Sequence, residues 1–260
     1  MVPVAVTVGR PEWRLATFNI QYAAANRWLR KRERLAAVLR GLKADVLGLQ
    51  EVSAEGLEWI REALGHPLCV AAGREDGARA GEHVPILVLN PAWSEVANGT
   101  FWFSQTPTQP SVAWGAAHPR ICTWVRLARP DAPDLTVFNV HLDHRSSRAR
   151  EESGRLLKRY VETKAANGLA VVCGDFNERR AERVRASFEK GEPALVDAAA
   201  KAGVLTPTWR GISRLGAWRA RLDYALIDAR LSLRHYALTD NVAAGRTLSD
   251  HRPVVVDLAG

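Results

Sequence analysis

Cysteine is scarce in this chain of 260 residues: Cys69, Cys122 and Cys173 lie far apart and are odd in number. That pattern argues against a disulfide framework and against a zinc site, and the three read as small buried apolar side chains. Long apolar runs are missing too. No stretch approaches the roughly 20 residues that would span a bilayer, and the first ten residues lack the charged start, apolar run and cleavage site of a signal peptide. The expectation is a cytoplasmic protein without a membrane span. Repeats and low-complexity linkers are also absent, so residues 1–260 are expected to form a single domain, and the protein is taken as a monomer.

Lysine is sparse as well. Only six of the 36 basic residues are Lys, leaving 30 Arg. Biased codon composition and selection for phosphate contact both account for that imbalance, and composition does not choose between them. The net charge of +8 and pI near 9.9 favour the approach of polyanions, which points toward nucleic acid. With 47% hydrophobic residues, the chain can bury a sizeable core.

Short apolar runs predict strands over Arg14–Ile20, Val46–Leu49, Ile86–Leu89, Ile121–Leu127, Leu135–Leu142, Leu169–Cys173, Asp223–Ile227 and Pro253–Leu258. Helices are predicted between them. Arg30–Leu42 puts Leu35, Val38, Leu39 and Leu42 on one face, and Ser53–Leu64 and Ser147–Ala166 have similar character, with Ser53 and Ser147 as N-caps. Strands that alternate with helices early and then cluster suggest mixed sheets covered by helices. Gly73–His83 reads as a mobile loop and Ser104–Pro119 as a long ordered or lid-like one.

Polar residues recur at strand ends, where ligand sites commonly form, in ATFNI (16–20), LGLQE (47–51), FNVHLDH (138–144), VVCGDFN (171–177), RLDYALI (221–227) and LSDHRPVVVDL (248–258). Glu51 ends a strand and suits a hard oxygen ligand for Mg²⁺ or Mn²⁺, or alternatively a carboxylate stabilising the next helix. Asn19 is either a core hydrogen-bonding residue or part of a ligand shell. Asp175 and Asn177, two apart, would project to one side of an extended segment and could hold water and a phosphoryl oxygen, or else form an Asx turn. Asp250 and His251 are a titratable pair, and Asp223 is the carboxylate that could fix the His251 tautomer. In FNVHLDH, strand alternation sets Asn139, His141 and Asp143 on one face and Val140 and Leu142 on the other. His141, Asp143 and His144 can also be read as transition-metal ligands, although the carboxylate-rich set favours a harder ion.

In this order, from about Leu15 to Leu258, these segments resemble the endonuclease/exonuclease/phosphatase, or DNase I-like, superfamily. The resemblance implies an α/β (α+β) four-layer sandwich, two mixed β-sheets packed face to face and flanked by helices. It implies that Asn19 and Glu51 organise the metal, with Glu51 a direct ligand and Asp250 sharing that role. Asp175 and Asn177 match the GDFN motif that orients the nucleophilic water and the phosphoryl group. His251 matches the terminal histidine and Asp223 its partner. His141 matches a phosphate-contacting position, and Arg120, in HPRICTW, looks like a further basic contact; His144 is taken as another contact to substrate phosphate or base.

The implied reaction is in-line attack of water on phosphorus with Mg²⁺ or Mn²⁺ as cofactor, and with Asp175 or His251 as general base. TWRGISRLGAWRARLDY (208–224) resembles the basic, Trp-containing approach to the site in abasic-site endonucleases. Trp209 and Trp218 could stack on bases while Arg210, Arg214, Arg219 and Arg221 meet phosphates; the alternative is that both indoles pack under a surface loop. His141 departs from that repair group, which usually carries tyrosine there, and sides with the DNase I, deadenylase and sphingomyelinase branches. Segment 99–120 looks most like uncharacterised bacterial members. A nuclease acting on DNA or RNA is the first expectation for the substrate. A small-molecule or lipid-headgroup phosphoesterase is the alternative, and a non-catalytic nucleic-acid-binding module the lesser one.

Overall fold

The computed structural model describes residues 12–21, 25–130, 132–213 and 216–260. In chain order the elements begin β1 (Glu12–Asn19), α1 (Ala25–Gly41), β2 (Val46–Gln50), α2 (Ala54–Ala63), β3 (Leu68–Val70), β4 (Ile86–Val88) and β5 (Ser94–Trp102). They continue with β6 (Ile121–Arg129), β7 (Ala132–His141), α3 (Ser147–Lys164), β8 (Leu169–Asp175), α4 (Ala181–Ala186), β9 (Leu195–Asp197) and α5 (Ala198–Ala202). The chain ends with β10 (Trp209–Ser213), β11 (Gly216–Ala220), β12 (Asp223–Asp228), β13 (Ser232–Leu238), β14 (Val242–Ala243), β15 (Arg246–Thr247) and β16 (Val254–Ala259).

Two six-stranded sheets form, in the orders β13-β16-β1-β2-β4-β3 and β5-β6-β7-β8-β12-β9. Both are mixed. β1 runs parallel to β2 and β7 parallel to β8, while the other neighbours pair antiparallel. The core has three tiers, as four stacked layers require. Between the sheets lie Trp13, Leu15, Val46, Val137, Val171, Cys173, Ile227 and Val256. Ala16, Phe18, Leu47 and Leu49 face the other way and meet Leu35 and Leu39 of α1 and Leu57 and Ile60 of α2. Phe138, Val140, Val172 and Leu226 likewise meet Leu156, Leu157 and Val161 of α3.

Strands buried on both faces explain why the central ones appear as near-continuous apolar runs. Their period of two also positions the site. On the inter-sheet face β1 reads Trp13, Leu15, Thr17, Asn19, changing from apolar to polar toward its end, and β7 reads Leu135, Val137, Asn139, His141. The parallel pairing places Asn19 opposite Gln50, and His141 opposite Asp175, so these carboxyl ends open on one rim. Antiparallel β12 starts at that rim with Asp223 opposite Asp175.

A buried polar bridge joins the sheets beneath the rim. Asn139 Nδ2 donates to the carbonyls of Leu49 and Pro85 at 2.8 Å, and Gln50 Nε2 donates to Asn139 Oδ1 at 2.6 Å. Gly48 gives this bridge room, since a Cβ there would stand 2.9 Å from Asn139 Cγ.

Three expectations need correction. The N-cap of α3 is Ser146, whose Oγ accepts from Ala149 N at 3.1 Å, rather than Ser147, which is the first helical residue. The predicted mobile loop Gly73–His83 is folded by its own hydrogen bonds, including Gly73 N to Ala78 O, Arg74 N to Glu82 O, and Asp76 Oδ1 accepting from Ala78 and Ala80. The transition-metal reading of His141, Asp143 and His144 fails because Asp143 is committed elsewhere. It accepts the backbone N–H groups of Ala117, Arg145 and Ser146 and faces Arg120. Among the described residues no helix is long and apolar enough to cross a membrane.

Candidate active site

At the rim the chain brings together Glu51, His141, Asp175, Asn177, Asp250 and His251 around a cavity of about 440 Å³, with Arg120, His144 and Trp209 in its wall. Asn19 and Asp223 lie behind this lining, fully buried. Asn19 Nδ2 donates to Glu51 Oε1 and to Asp175 Oδ2, each at 3.0 Å, so one amide from the first sheet clamps carboxylates on both. Its Oδ1 accepts from Gln21 N at 3.0 Å. Asn19 thus organises the acidic groups, its own oxygen being engaged by the backbone.

Glu51 adopts φ +57°, a left-handed turn that takes its side chain off the strand and toward Asn19. The helix that follows takes its side-chain cap from Ser53, while the Glu51 carboxylate bonds Asn19. Burial pushes the Glu51 carboxyl above the usual range, opposed by the Asn19 bond and reinforced by the charges of Glu82 and Asp250.

Asp175 and Asn177 form the Asx turn, and both face the cavity. Asp175 Oδ1 accepts from Asn177 N at 2.8 Å in an Asx turn, and Asn177, at φ +49°, returns to the pocket with Nδ2 bonded to Leu142 O at 3.0 Å. The turn needs Gly174, at φ +131°, where a Cβ would lie 2.1 Å from Val140 O.

His251 Nδ1 donates to Asp223 Oδ2 at 2.9 Å, which directs Nε2 toward Asp175 Oδ2 at 3.7 Å and Asp250 Oδ1 at 3.9 Å. Thr208 Oγ1 holds the same Asp223 oxygen at 2.6 Å. Burial alone would lower the His251 pKa, but the charges of Asp223 and Asp175 and the Asp223 bond outweigh it and raise it to about 10. Burial pushes the Asp175 carboxyl up to about 7, with the nearby His251 charge opposing the rise. His141 takes the opposite course. Its Nε2 lies 3.8 Å from Asp175 Oδ2, yet burial and then the Arg120 charge drive its pKa well down, leaving it neutral.

The segment before β16 is fixed by β10. Arg210 N donates to Asp250 O, Arg252 N donates to Thr208 O, and Trp209 Nε1 donates to Asp250 Oδ2 at 3.0 Å. Trp209 therefore uses its single donor to aim Asp250, with the Arg179 guanidinium 5.8 Å above its ring. Trp218 lies on β11, but its side chain falls outside the described residues, as does Arg214 altogether. Arg221 is a structural residue, bound twice to buried Asp197 at 2.9 and 2.6 Å.

The donor set suits a hard cation. Glu51 and Asp250 face one cavity, and Asp250 Oδ1 is buried without a hydrogen-bond partner among the described residues. Asp175, Asp223 and His251 also bring ligand atoms within 4.8 Å of one another. There the His251–Asp223 bond engages Nδ1 and leaves Nε2 open, whereas Glu51 and Asp250 offer an all-oxygen pair suited to a hard cation.

The model of the Endonuclease/Exonuclease/phosphatase family matches residues 16–251, from just before Asn19 to His251. The chain belongs to this family. Its members are phosphoester hydrolases, and so is this protein. Among solved structures, an endonuclease/exonuclease/phosphatase from Bacteroides vulgatus is 26% identical, with a TM-score of 0.86 over 96% of this chain and 99% of its own. A Bacteroides thetaiotaomicron mannosyl-6-phosphatase is 27% identical, with a TM-score of 0.83 over 95% and 100%. D. rerio TDP2, solved with single-strand DNA product, shares the fold at 17% identity, with a TM-score of 0.78 over 96% and 99%. Among curated proteins, none matches the chain in sequence.

The geometry also places in this cavity residues that sequence reasoning missed. Arg74 and Glu82 come from the folded 73–83 loop, and His118 and Arg179 from irregular segments. No apolar periodicity marks these segments, so only the fold brings them in.

Proposed function

We propose that the protein is a Mg²⁺- or Mn²⁺-dependent phosphoesterase in which Asp175 is the general base and cationic His251 stabilises the phosphoryl oxygens. The observation that carries this reading is the line from Asp223 through His251 to Asp175. A histidine bonded to Asp223 and raised to about 10 keeps its proton at neutral pH, whereas the neighbouring carboxyl raised to about 7 is poised to accept one.

Asp175 takes the proton of the attacking water as the water oxygen bonds to phosphorus and the bond from phosphorus to the ester oxygen breaks, its electron pair leaving with that oxygen; Asn177 orients the water from the other end of the Asx turn. His251 donates Nε2–H to an oxygen that gains charge, and Asp223 keeps the imidazole aligned. Neutral His141 offers a further polar contact to the phosphate. A divalent cation held by Glu51 and Asp250 would neutralise the developing charge and the leaving oxygen. Asn19 sets the spacing between the cation side and the base side.

The test is hydrolysis of nitrophenyl phosphate and bis-nitrophenyl phosphate with Mg²⁺ or Mn²⁺ added back after chelation. Asp175→Asn is expected to lose at least about a hundredfold in kcat, and Glu51→Gln to raise the metal concentration for half activity about tenfold or more. Activity that survives chelation, or a fully active Asp175→Asn, would sink the reading.

Nucleic acid is a second reading of the substrate. It is favoured by Arg210 and Arg219, exposed and paired across the β10–β11 ribbon, and by an adjoining cavity of about 610 Å³ lined by Arg210, Arg246 and Arg252. Polynucleotide binding should then weaken steeply as salt rises. The mannosyl-6-phosphatase similarity supports a compact phosphate ester instead.

A further inference from the structure

Two arginines that the steps above do not use are buried in the pocket wall. Arg74 is 8% exposed and Arg120 is 5% exposed, and both line the reaction cavity. A guanidinium does not shed its proton, so each must find negative charge or carry an unrepaid desolvation cost. The protein supplies that charge unequally. Arg74 Nη1 meets Glu82 Oε2 at 2.6 Å, whereas Arg120 Nε stands 3.5 Å from Asp143 Oδ2. Asp143 is already engaged by three backbone N–H groups, and Nε of both arginines lacks an acceptor among the described residues.

Burial and then the Arg74 charge hold the Arg120 pKa below its ordinary value, so the two cations are close enough to repel. His144 adds a donor. Arg120 Nη2 lies 2.9 Å from His144 Nδ1, and because a guanidinium can only donate, Nδ1 accepts and the imidazole proton sits on Nε2. The exposed His118 ring stacks on His144 with centroids 6.4 Å apart. Apart from Glu82, this wall therefore offers donors and positive charge.

A phosphomonoester carries roughly −1.5 to −2 charge near neutrality and three acceptor oxygens. A diester, with one more oxygen esterified, carries a single charge. We propose that the Arg74–Arg120–His144 wall seats a terminal phosphate, so that the enzyme selects phosphomonoesters over phosphodiesters. This rests on the phosphoesterase reading for where the phosphate sits. A hexose phosphate and the phosphorylated end of a nucleic-acid strand both carry the required group.

The test compares methyl phosphate with dimethyl phosphate by calorimetry above the second phosphate pKa, on the full chain at one saturating Mg²⁺ concentration. Wild type is expected to prefer methyl phosphate by more than about a hundredfold, and Arg120→Gln to cut that ratio about tenfold or more, the worth of a charge-assisted bond. Arg74→Gln reads the same ratio should Arg120→Gln fail to fold, and Arg74→Lys should restore part of it. Equal affinity for the two ligands in wild type, or a ratio unmoved by either substitution, overturns the proposal.

Turnover separates the two claims. Phosphate selectivity without hydrolysis of any ester sinks the hydrolase reading and leaves the seat standing. Hydrolysis of an internal diester in an unphosphorylated oligonucleotide at least as fast as any monoester does the reverse. Relative kcat/KM for a hexose phosphate and for an oligonucleotide with a terminal phosphate then identifies the carrier, and a preference for either over diesters supports the proposal.

Discussion

Asp223→Asn is the substitution that most directly probes the acid–base assignment, because it removes a charge while preserving shape. Asp223 Oδ2 receives both His251 Nδ1 at 2.9 Å and Thr208 Oγ1 at 2.6 Å, and the amide can keep one of these but not the ionic partner of the imidazole. Burial is the largest influence on His251 and it lowers the pKa, so without the Asp223 charge the group moves down from about 10 toward the working range. The lost interaction is a charge-assisted hydrogen bond of about 1.5–3 kcal/mol, or roughly tenfold to a hundredfold in kcat at neutral pH. The sign follows from the raised pKa. Cationic His251 persists below about 10 and is lost as pH rises through that value, so wild-type activity should hold into the alkaline range and then fall. In Asp223→Asn the alkaline fall should begin at least about one pH unit lower, and the deficit should widen as pH rises. The assay is kcat against pH with nitrophenyl phosphate at saturating Mg²⁺. A loss that is uniform across pH, with the alkaline limb unmoved, would refute the cationic role and leave Asp223 a packing residue.

Asn139→Leu should cost about 2–4 kcal/mol by leaving Gln50 Nε2 and two carbonyls short of partners between the sheets, read as a lower urea midpoint with an unchanged slope. Arg221→Ala should cost about 3–5 kcal/mol by stranding buried Asp197, whereas Arg221→Met with Asp197→Leu should recover most of that stability in the same unfolding assay. Asp257 is held below its ordinary pKa first by its hydrogen bond to Arg14, a contribution fully present above 3.8 and lost as pH falls through the folded value. Asp257→Asn should therefore be less stable than wild type at neutral pH, with the gap closing in acid when melting temperatures are compared.

The strands legible in the sequence are those buried on both faces, because burial there erases alternation and leaves an apolar run, as in VLGLQ of β2 and LAVVCGD of β8. The same property exposes the site: a lone Asn19, His141 or Asp175 ending such a run must be satisfied by something, and Asn19 and Asp175 bond each other there. Strands with one wet face were missed. β5 is exposed or half-exposed over most of its length and β13 is similar, so neither presents a run to find. Neighbouring serines hid the α3 cap, since Ser146 and Ser147 carry the same capping oxygen and only backbone geometry separates them.

The larger omission lies in residues whose role is created by packing. Arg74 and Glu82 sit on a loop whose composition resembles a solvated turn, yet backbone bonds fold it inward and Trp102 Nε1 anchors Arg74 O at 2.7 Å. Trp209 shows the converse: a residue whose type suits stacking on a base instead donates to Asp250 and aims a carboxylate. The rim proposed to carry the chemistry and the wall that carries Arg74 and Arg120 are thus specified in different ways. Strand register delivers Asn19, His141, Asp175 and Asp223 together, because parallel pairing fixes which ends meet and the Asn139 bridge holds the two sheets in contact. The wall is built by loops held by individual bonds, such as Trp102 Nε1 to Arg74 O and Arg120 Nη2 to His144 Nδ1, that no strand register fixes. It follows that the chemistry and the choice of phosphate should separate under mutation: changes at the wall should alter which ester is taken, and changes at the rim whether any ester is cleaved.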